Sequence, residues 1–268
     1  MKNNTSNSDL EKYFRSNTDR LIHKWNHYFD IYDRHFKRFR NKEVIILEIG
    51  VSQGGSLQMW KDYFGADANI FGIDIDPRCK ELEEENIKIF IGSQSDRDFL
   101  NEVKKSIPKV DILIDDGGHT MEQLRVSFEE LFDHVKQDGV YLAEDLHTCY
   151  WLTYGGGHKR RKTFIEYSKN FIDHLNAFHS TQRSLKVNSF TKSADSIHYY
   201  DSILVIEKRV KEKPFHEKTG KPSFEHAKPN RKPTLFQKIR YKLNVKNRLL
   251  RVINTVLRFL RLPGFIWK

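Results

Sequence analysis

The stretch VIILEIGVSQGGS, residues 44–56, decides the fold. Its first half is an apolar run of the length of one buried strand, interrupted only by Glu48. Its second half is short and glycine-rich, the form of a tight turn that feeds a helix. Gly50, Gly54 and Gly55 permit a tight backbone and close approach of a ligand to that helix start at Ser56. The spacing is not GxGxxG, and no Gly-Lys-Ser/Thr closes it, so the dinucleotide fingerprint and the phosphate-binding loop both fit badly. Glu48 beside the turn would repel a pyrophosphate and suits a ligand that carries positive charge.

The same alternation continues outward. NIFGIDID (69–76), IKIFIG (87–92), VDILIDD (110–116) and GVYLAED (139–145) are further apolar runs, each separated from the next by a helical segment. The helices are expected near Ser56–Phe64, Ser95–Ser106 and Met121–Val135, with another over 161–178. Near-continuous apolar strands between helices predict an α/β fold: a Rossmann-like, doubly wound, mostly parallel sheet covered on both faces. SLKVNSF (184–190) and HYYDSILVIEK (198–208) are expected to close it as an antiparallel pair, for seven strands in all. Before the sheet, Leu10–Arg40 lacks Gly and Pro and repeats aromatic residues at helical spacing, which predicts one or two capping helices.

Acids gather at the expected carboxyl ends of the strands, where such sheets bind ligands. Asp74 ends the second strand, where an acid can accept hydrogen bonds from both hydroxyls of a ribose. Gln94, Ser95 and Asp96 follow the third and offer donors and acceptors to an amino-purine edge, although Ser95 or Asp96 could equally cap the next helix. Asp115 and Asp116 end the fourth strand with His119 close behind, and Glu144 and Asp145 end the fifth with His147 behind. Four converging carboxylates repel one another unless a cation joins them, and a hard divalent ion with oxygen ligands answers that. Such an ion could hold a substrate hydroxyl for a neutral histidine to deprotonate. Tyr150, Trp151 and Tyr154 follow, and aromatic faces stack well on sugar rings.

Taken in order, ILEIGVSQGGS, the acid of GIDID, GSQSD, IDDGGH and AEDLHTCYW resemble the class I S-adenosylmethionine-dependent methyltransferases. The nearest likeness is to the metal-dependent macrolide sugar O-methyltransferases of the mycinamicin and macrocin type, and to the cephalosporin-hydroxylase-like family. It covers roughly residues 17–207. The resemblance implies that Glu48 and Gly50 hold the methionine part of the donor, within a turn that includes Gly54 and Ser56. It implies Asp74 on the ribose and Gln94, Ser95 and Asp96 on the adenine side, with Asp115 in the same donor-binding set. Asp116, Glu144 and Asp145 match Mg²⁺ ligands and His119 a general base, with Asp116 preferred to Asp115 as the ligand. Tyr150 and Trp151 would meet a sugar-containing acceptor. Gly118 stands where the family often has Ser. A cephalosporin-hydroxylase-like oxidoreductase and a non-catalytic scaffold are the rival readings.

Charge divides the chain. Residues 207–268 carry 18 Lys/Arg against 4 Asp/Glu, a net of +14, while residues 1–206 carry 28 against 32, a net of −4. The basicity therefore belongs to a tail that seeks an anionic surface, with a membrane favoured over a protein partner or self-association, and nucleic acid last. The expected organisation is a helical cap at 1–40, the methyltransferase domain at 41–207, a Pro/Lys-rich linker at 208–234 and a basic amphipathic helical tail at 235–268. Two cysteines, Cys79 and Cys149, exclude a disulfide framework and suit a reducing cytoplasm, and no apolar run is long enough to span a membrane. The expected location is cytoplasmic, peripheral to the inner membrane face if the tail binds lipid.

Overall fold

The structure is a computed structural model. The structure describes residues 8–224 and, beyond them, residues 235, 252, 256, 257, 259 and 260. Residues Met1–Phe215 form one compact unit and His216–Lys268 a second. The helical tail expected from residue 235 onward falls almost wholly outside the described residues.

The strands are β1 (Ile45–Ile49), β2 (Asn69–Asp74), β3 (Ile87–Ile91), β4 (Val110–Asp115), β5 (Val135–Ala143), β6 (Ala194–Tyr199) and β7 (Leu204–Lys208). They build one seven-stranded sheet in the order β3-β2-β1-β4-β5-β7-β6. β1 to β5 are parallel, and β7 inserts antiparallel between β5 and β6. The Rossmann-like α/β class read from the sequence is the fold observed. One strand was misplaced. Residues 184–188 form no strand, because the Asn188 side chain accepts the Thr191 N–H at 3.0 Å and starts a short helix at Ser189. The antiparallel pair is made by the two strands that follow.

The helices are α1 (Asp9–Ser16), α2 (Tyr28–Phe36), α3 (Gly55–Phe64), α4 (Arg97–Ser106), α5 (Met121–Leu131), α6 (Phe164–Ser168), α7 (Asn170–Leu175) and α8 (Ser189–Ser193). Strand side chains alternate between two cores. Ile46, Ile112, Ile114 and Val140 face α1–α3, where Tyr32, Phe36, Trp60 and Phe64 are fully buried. Leu47, Leu113, Tyr141 and Ile206 face α4–α8, around Phe128, Phe164 and Phe171. Each large side chain so buried contributes about 1.5–3 kcal/mol relative to exposure. The helix expected over 161–178 is shorter and forms as α6 and α7, joined by Lys169 at helical angles, with Thr163 extended before it and Asn176 outside the helical region after it.

The N-terminal region departs further from expectation. Residues 17–27 are not helical. The Asn17 side chain accepts the Asp19 N–H and donates to the Arg20 carbonyl, a local turn that competes with the helix. The released segment crosses the carboxyl edge of the sheet. β1 and β4 are neighbours there, yet the chain leaves them toward opposite faces, and a crevice opens at that switch point. Among the described residues, no helix is long and apolar enough to cross a membrane.

Candidate active site

The crevice is a cavity of about 390 Å³. Gly50, Val51, Ser52 and Ser56 line one side, Asp74 and Gly92–Gln94 one end, and Asp116–His119 with Asp145 the other, while Leu21–Lys24 form the outer wall.

Gly50 follows β1 and packs against the backbone that leaves β4. Its φ is +96°, and a Cβ placed on it would lie 2.0 Å from the Asp116 carbonyl oxygen. Only glycine satisfies both conditions. Asp74 Oδ2 accepts the N–H groups of Val51 and Ser52, each at 2.9 Å, and Oδ1 accepts the Asp76 N–H at 2.9 Å. Asp74 therefore shapes the turn and still presents its carboxylate to the cavity.

Glu48 is fully buried behind this surface and does not line it. Its Oε2 accepts from Ser56 Oγ at 2.9 Å and Trp60 Nε1 at 3.1 Å, and burial pushes its carboxyl up to about 7. Gly54 caps α3 with φ +75° against Leu82, also away from the cavity. Gln94 lies in the cavity wall, and its amide is fully engaged. Nε2 donates to Asp115 Oδ1 and Ser127 Oγ, both at 3.0 Å, and Oε1 accepts the Gly118 N–H at 2.6 Å. Asp115 is fully buried beneath the cavity, where burial raises its carboxyl to about 7. It is Asp116 that faces the opening. Asp96 caps α4 through the N–H groups of Asp98 and Phe99, and Ser95 pairs with Ser93 Oγ at 2.9 Å, so Ser93 rather than either of them lines the cavity.

At the other end His119 Nε2 stands 3.7 Å from Asp116 Oδ1 and 3.5 Å from Asp145 Oδ2. The donor atoms of Asp116, His119 and Asp145 all lie within 4.8 Å of one another. His119 and Asp145 both adopt φ 54°, a costly conformation for side-chain-bearing residues that clusters at functional sites. Burial holds the His119 imidazole below its ordinary pKa, against the pull of Asp116 and Asp145, so the ring is neutral at pH 7. The Tyr28 hydroxyl donates to Asp145 Oδ1 at 2.7 Å. The two convergent carboxylates suit a hard divalent cation, with the imidazole Nε2 beside them. The cluster holds one histidine. His147 Nδ1 pairs with Ser202 Oγ at 2.6 Å, and His147 is not part of the convergent group found among the described residues.

Glu144 is turned elsewhere. Its Oε2 accepts from Lys24 Nζ at 2.9 Å, and the same ammonium lies 2.5 Å from Asp116 Oδ2 and 3.8 Å from Glu48 Oε1. Burial alone would lower the lysine pKa, but Asp116, Glu144 and Glu48 hold it well above its usual value. Lys24 was not foreseen. Its segment has the composition of a helix, and nothing local marks one of 46 basic residues as the partner of three acids remote in sequence.

Tyr150 and Trp151 are half-exposed and lie outside the cavity lining. The Trp151 ring packs on His147 at 4.6 Å, and His147 on Trp25 at 5.7 Å. This aromatic row joins the N-terminal segment to the loop after β5.

No protein-family model matches the sequence. Curated relatives do. The chain is 37% identical over 204 residues to the demethylmacrocin O-methyltransferase of Streptomyces fradiae, covering 71% of this chain and 51% of that protein. It is 42% identical over 132 residues to the mycinamicin VI 2''-O-methyltransferase of Micromonospora griseorubida, covering 47% and 33%. The MycE methyltransferase of the mycinamycin pathway, solved in complex with Mg, SAH and mycinamycin VI, superposes with a TM-score of 0.66 at 31% identity over 76% of this chain and 53% of that one. The chain thus spans about half the length, or less, of these relatives. With a crevice at the β1/β4 switch point, the chain has the fold of the class I methyltransferases, and over most of its length it is similar to the macrolide sugar O-methyltransferases.

Proposed function

We propose that this protein transfers the methyl group of S-adenosylmethionine to a sugar hydroxyl with the help of a divalent cation, Mg²⁺. The observation that carries the reading is one cavity with Asp74 at one end and the Asp116–His119–Asp145 cluster at the other. The likeness to a protein solved with Mg, SAH and a macrolide supports the same assignment.

In this reading Asp74 orients the donor's ribose, and Gly50 and Ser52 let its methionine part approach the backbone. Ser93 and Gln94 border its base. Asp116, Glu144 and Asp145 are the proposed cation ligands. A bound Mg²⁺ would supply positive charge that lowers the pKa of an acceptor hydroxyl. His119, kept neutral by burial, takes that hydroxyl's proton on Nε2. The oxygen then bonds to the methyl carbon as the carbon–sulfur bond breaks and its electron pair stays on sulfur. The walls contribute chiefly by alignment and by excluding water. Trp25, His147 and Trp151 form the surface on which a sugar ring would rest.

Calorimetric titration of S-adenosylmethionine into the full chain, with and without Mg²⁺, tests this reading. Micromolar binding that disappears in Asp74→Ala supports it. A folded protein that binds no donor overturns it and favours the scaffold.

The finer placement is also proposed. Two buried free cysteines suit a reducing cytoplasm. The +14 charge of residues 207–268 suits contact with an anionic membrane face, ahead of self-association into a homo-oligomer. Co-sedimentation with anionic liposomes checks this. Equal binding by a chain ending at Lys208 overturns it.

A further inference from the structure

We infer that Lys24 competes with the divalent cation for the oxygens of Asp116 and Glu144, and thereby decides whether Glu144 or His119 completes the cation's donor set. The inference rests on the metal-assisted reading above.

Lys24 is an internal cation already in place. Its side chain is 3% exposed, and its ammonium contacts one oxygen of Asp116 and one of Glu144 at 2.5 and 2.9 Å. While it stays there, Glu144 Oε2 is held by the ammonium; Oε1 is buried without a hydrogen-bond partner among the described residues, but Glu144 lies outside the group of convergent donors. The donor atoms that converge toward an incoming ion are Asp116 Oδ1, Asp145 Oδ2 and His119 Nε2. An ion held in that way would occupy the nitrogen that the proposed chemistry needs as a base. Mg²⁺ prefers oxygen to imidazole nitrogen, so exchanging His119 for Glu144 improves its donor set and frees the base at the same time. The exchange requires the ammonium to leave Glu144, since two cations this close repel.

A landing place exists. Glu48 Oε1 is buried, has no hydrogen-bond partner among the described residues, and lies 3.8 Å from Lys24 Nζ. A short side-chain movement keeps the ammonium paired while Glu144 turns to the ion. Lys24 is thus a positioning residue. It stabilises the acid cluster before the ion arrives and sets the affinity the ion must have to replace it.

The test is Mg²⁺ titration by calorimetry on the full chain, comparing wild type, Lys24→Met, Lys24→Gln and Asp116→Asn without donor or acceptor. Removing the competing charge is expected to tighten Mg²⁺ binding by about tenfold in both Lys24 variants, and Asp116→Asn is expected to abolish binding. Wild-type binding that Asp116→Asn abolishes, with unchanged or weaker binding in the folded Lys24 variants, overturns this inference alone. Absence of Mg²⁺ binding in wild type and both Lys24 variants overturns the metal-assisted reading and this inference together. Should the methionine variant unfold without metal, the glutamine variant decides, because it retains a hydrogen-bond donor without the charge.

Discussion

The Tyr28 hydroxyl donates a 2.7 Å hydrogen bond to Asp145 Oδ1 across 117 positions of sequence. It ties the first residue of α2 to the loop that leaves β5. Asp145 adopts φ 54°, so its carboxylate is held toward His119 against backbone preference. Tyr28→Phe keeps the buried ring and removes this bond together with the hydroxyl's interaction with Ser202. Stability is expected to fall by about 1–2 kcal/mol and Mg²⁺ affinity by several-fold. Urea unfolding and metal titration of the variant check both.

Gly50→Ala should be far more damaging. The new methyl group would stand 2.0 Å from the Asp116 carbonyl oxygen on a residue of φ +96°. Two main chains would have to separate at the cavity floor. A loss of about 3 kcal/mol or more is expected, with a melting temperature lower by on the order of 10 °C. Thermal unfolding measures it, and a change of under about 2 °C would sink the argument.

His119→Gln should separate chemistry from binding. The residue lies at the far end of the cavity from Asp74. Donor affinity is expected to stay within a few-fold of wild type, while kcat falls by roughly 10²–10⁴. Steady-state kinetics on any accepted sugar substrate, beside donor titration, provides both readings.

Lys208 offers a pH signature remote from the cavity. It is 5% exposed, and its ammonium donates to the carbonyls of Phe132 and Val135 at 2.7 Å. Burial lowers its pKa from 10.5 to about 8. Between those values the unfolded chain holds a proton that the folded chain has released, so this group makes stability rise with pH across that window. Below pH 8 the same lysine is charged in both states, and its burial is a standing cost. Lys208→Met should therefore flatten the pH dependence of unfolding free energy between pH 8 and 10.5, by about 3 kcal/mol relative to wild type. Parallel slopes for the two proteins would refute the shift.

Gln94→Leu tests how much of the cavity is scaffold. Its amide satisfies Asp115 Oδ1, Ser127 Oγ and the Gly118 N–H together. Removing it strands buried polar groups, and a loss of about 3–5 kcal/mol is expected. Gln94→Glu should be worse as pH rises, since it sets a second carboxylate against the buried Asp115. Denaturant titrations at pH 6 and pH 8.5 compare them.

The fold was legible because its signal is local. Apolar runs ended by Gly50, Asp74, Asp115 and Glu144 mark parallel strands and their carboxyl edge within a few residues of each motif. The acids and His119 were therefore readable as neighbours before any contact was known. The strand placed at 184–190 was not, because Asn188 and Thr191 cap a helix through side chains that carry no apolar signature. Ser95 and Asp96 were drawn toward a ligand by motif position, whereas Asp96 spends its carboxylate on the start of α4.

The sequence by itself determined the sheet and the residue types at its carboxyl edge, since periodicity and glycine spacing act over one or two turns of chain. Only the tertiary structure decided which carboxylates face the cavity. Asp115 and Asp116 are adjacent in sequence, yet the pleat buries one and presents the other. Only the tertiary structure brought Lys24 among Glu48, Asp116 and Glu144. Charge complementarity over such separations leaves no local pattern, because it is satisfied only after the Asn17 turn has released residues 17–27 from helix and laid them across the sheet edge.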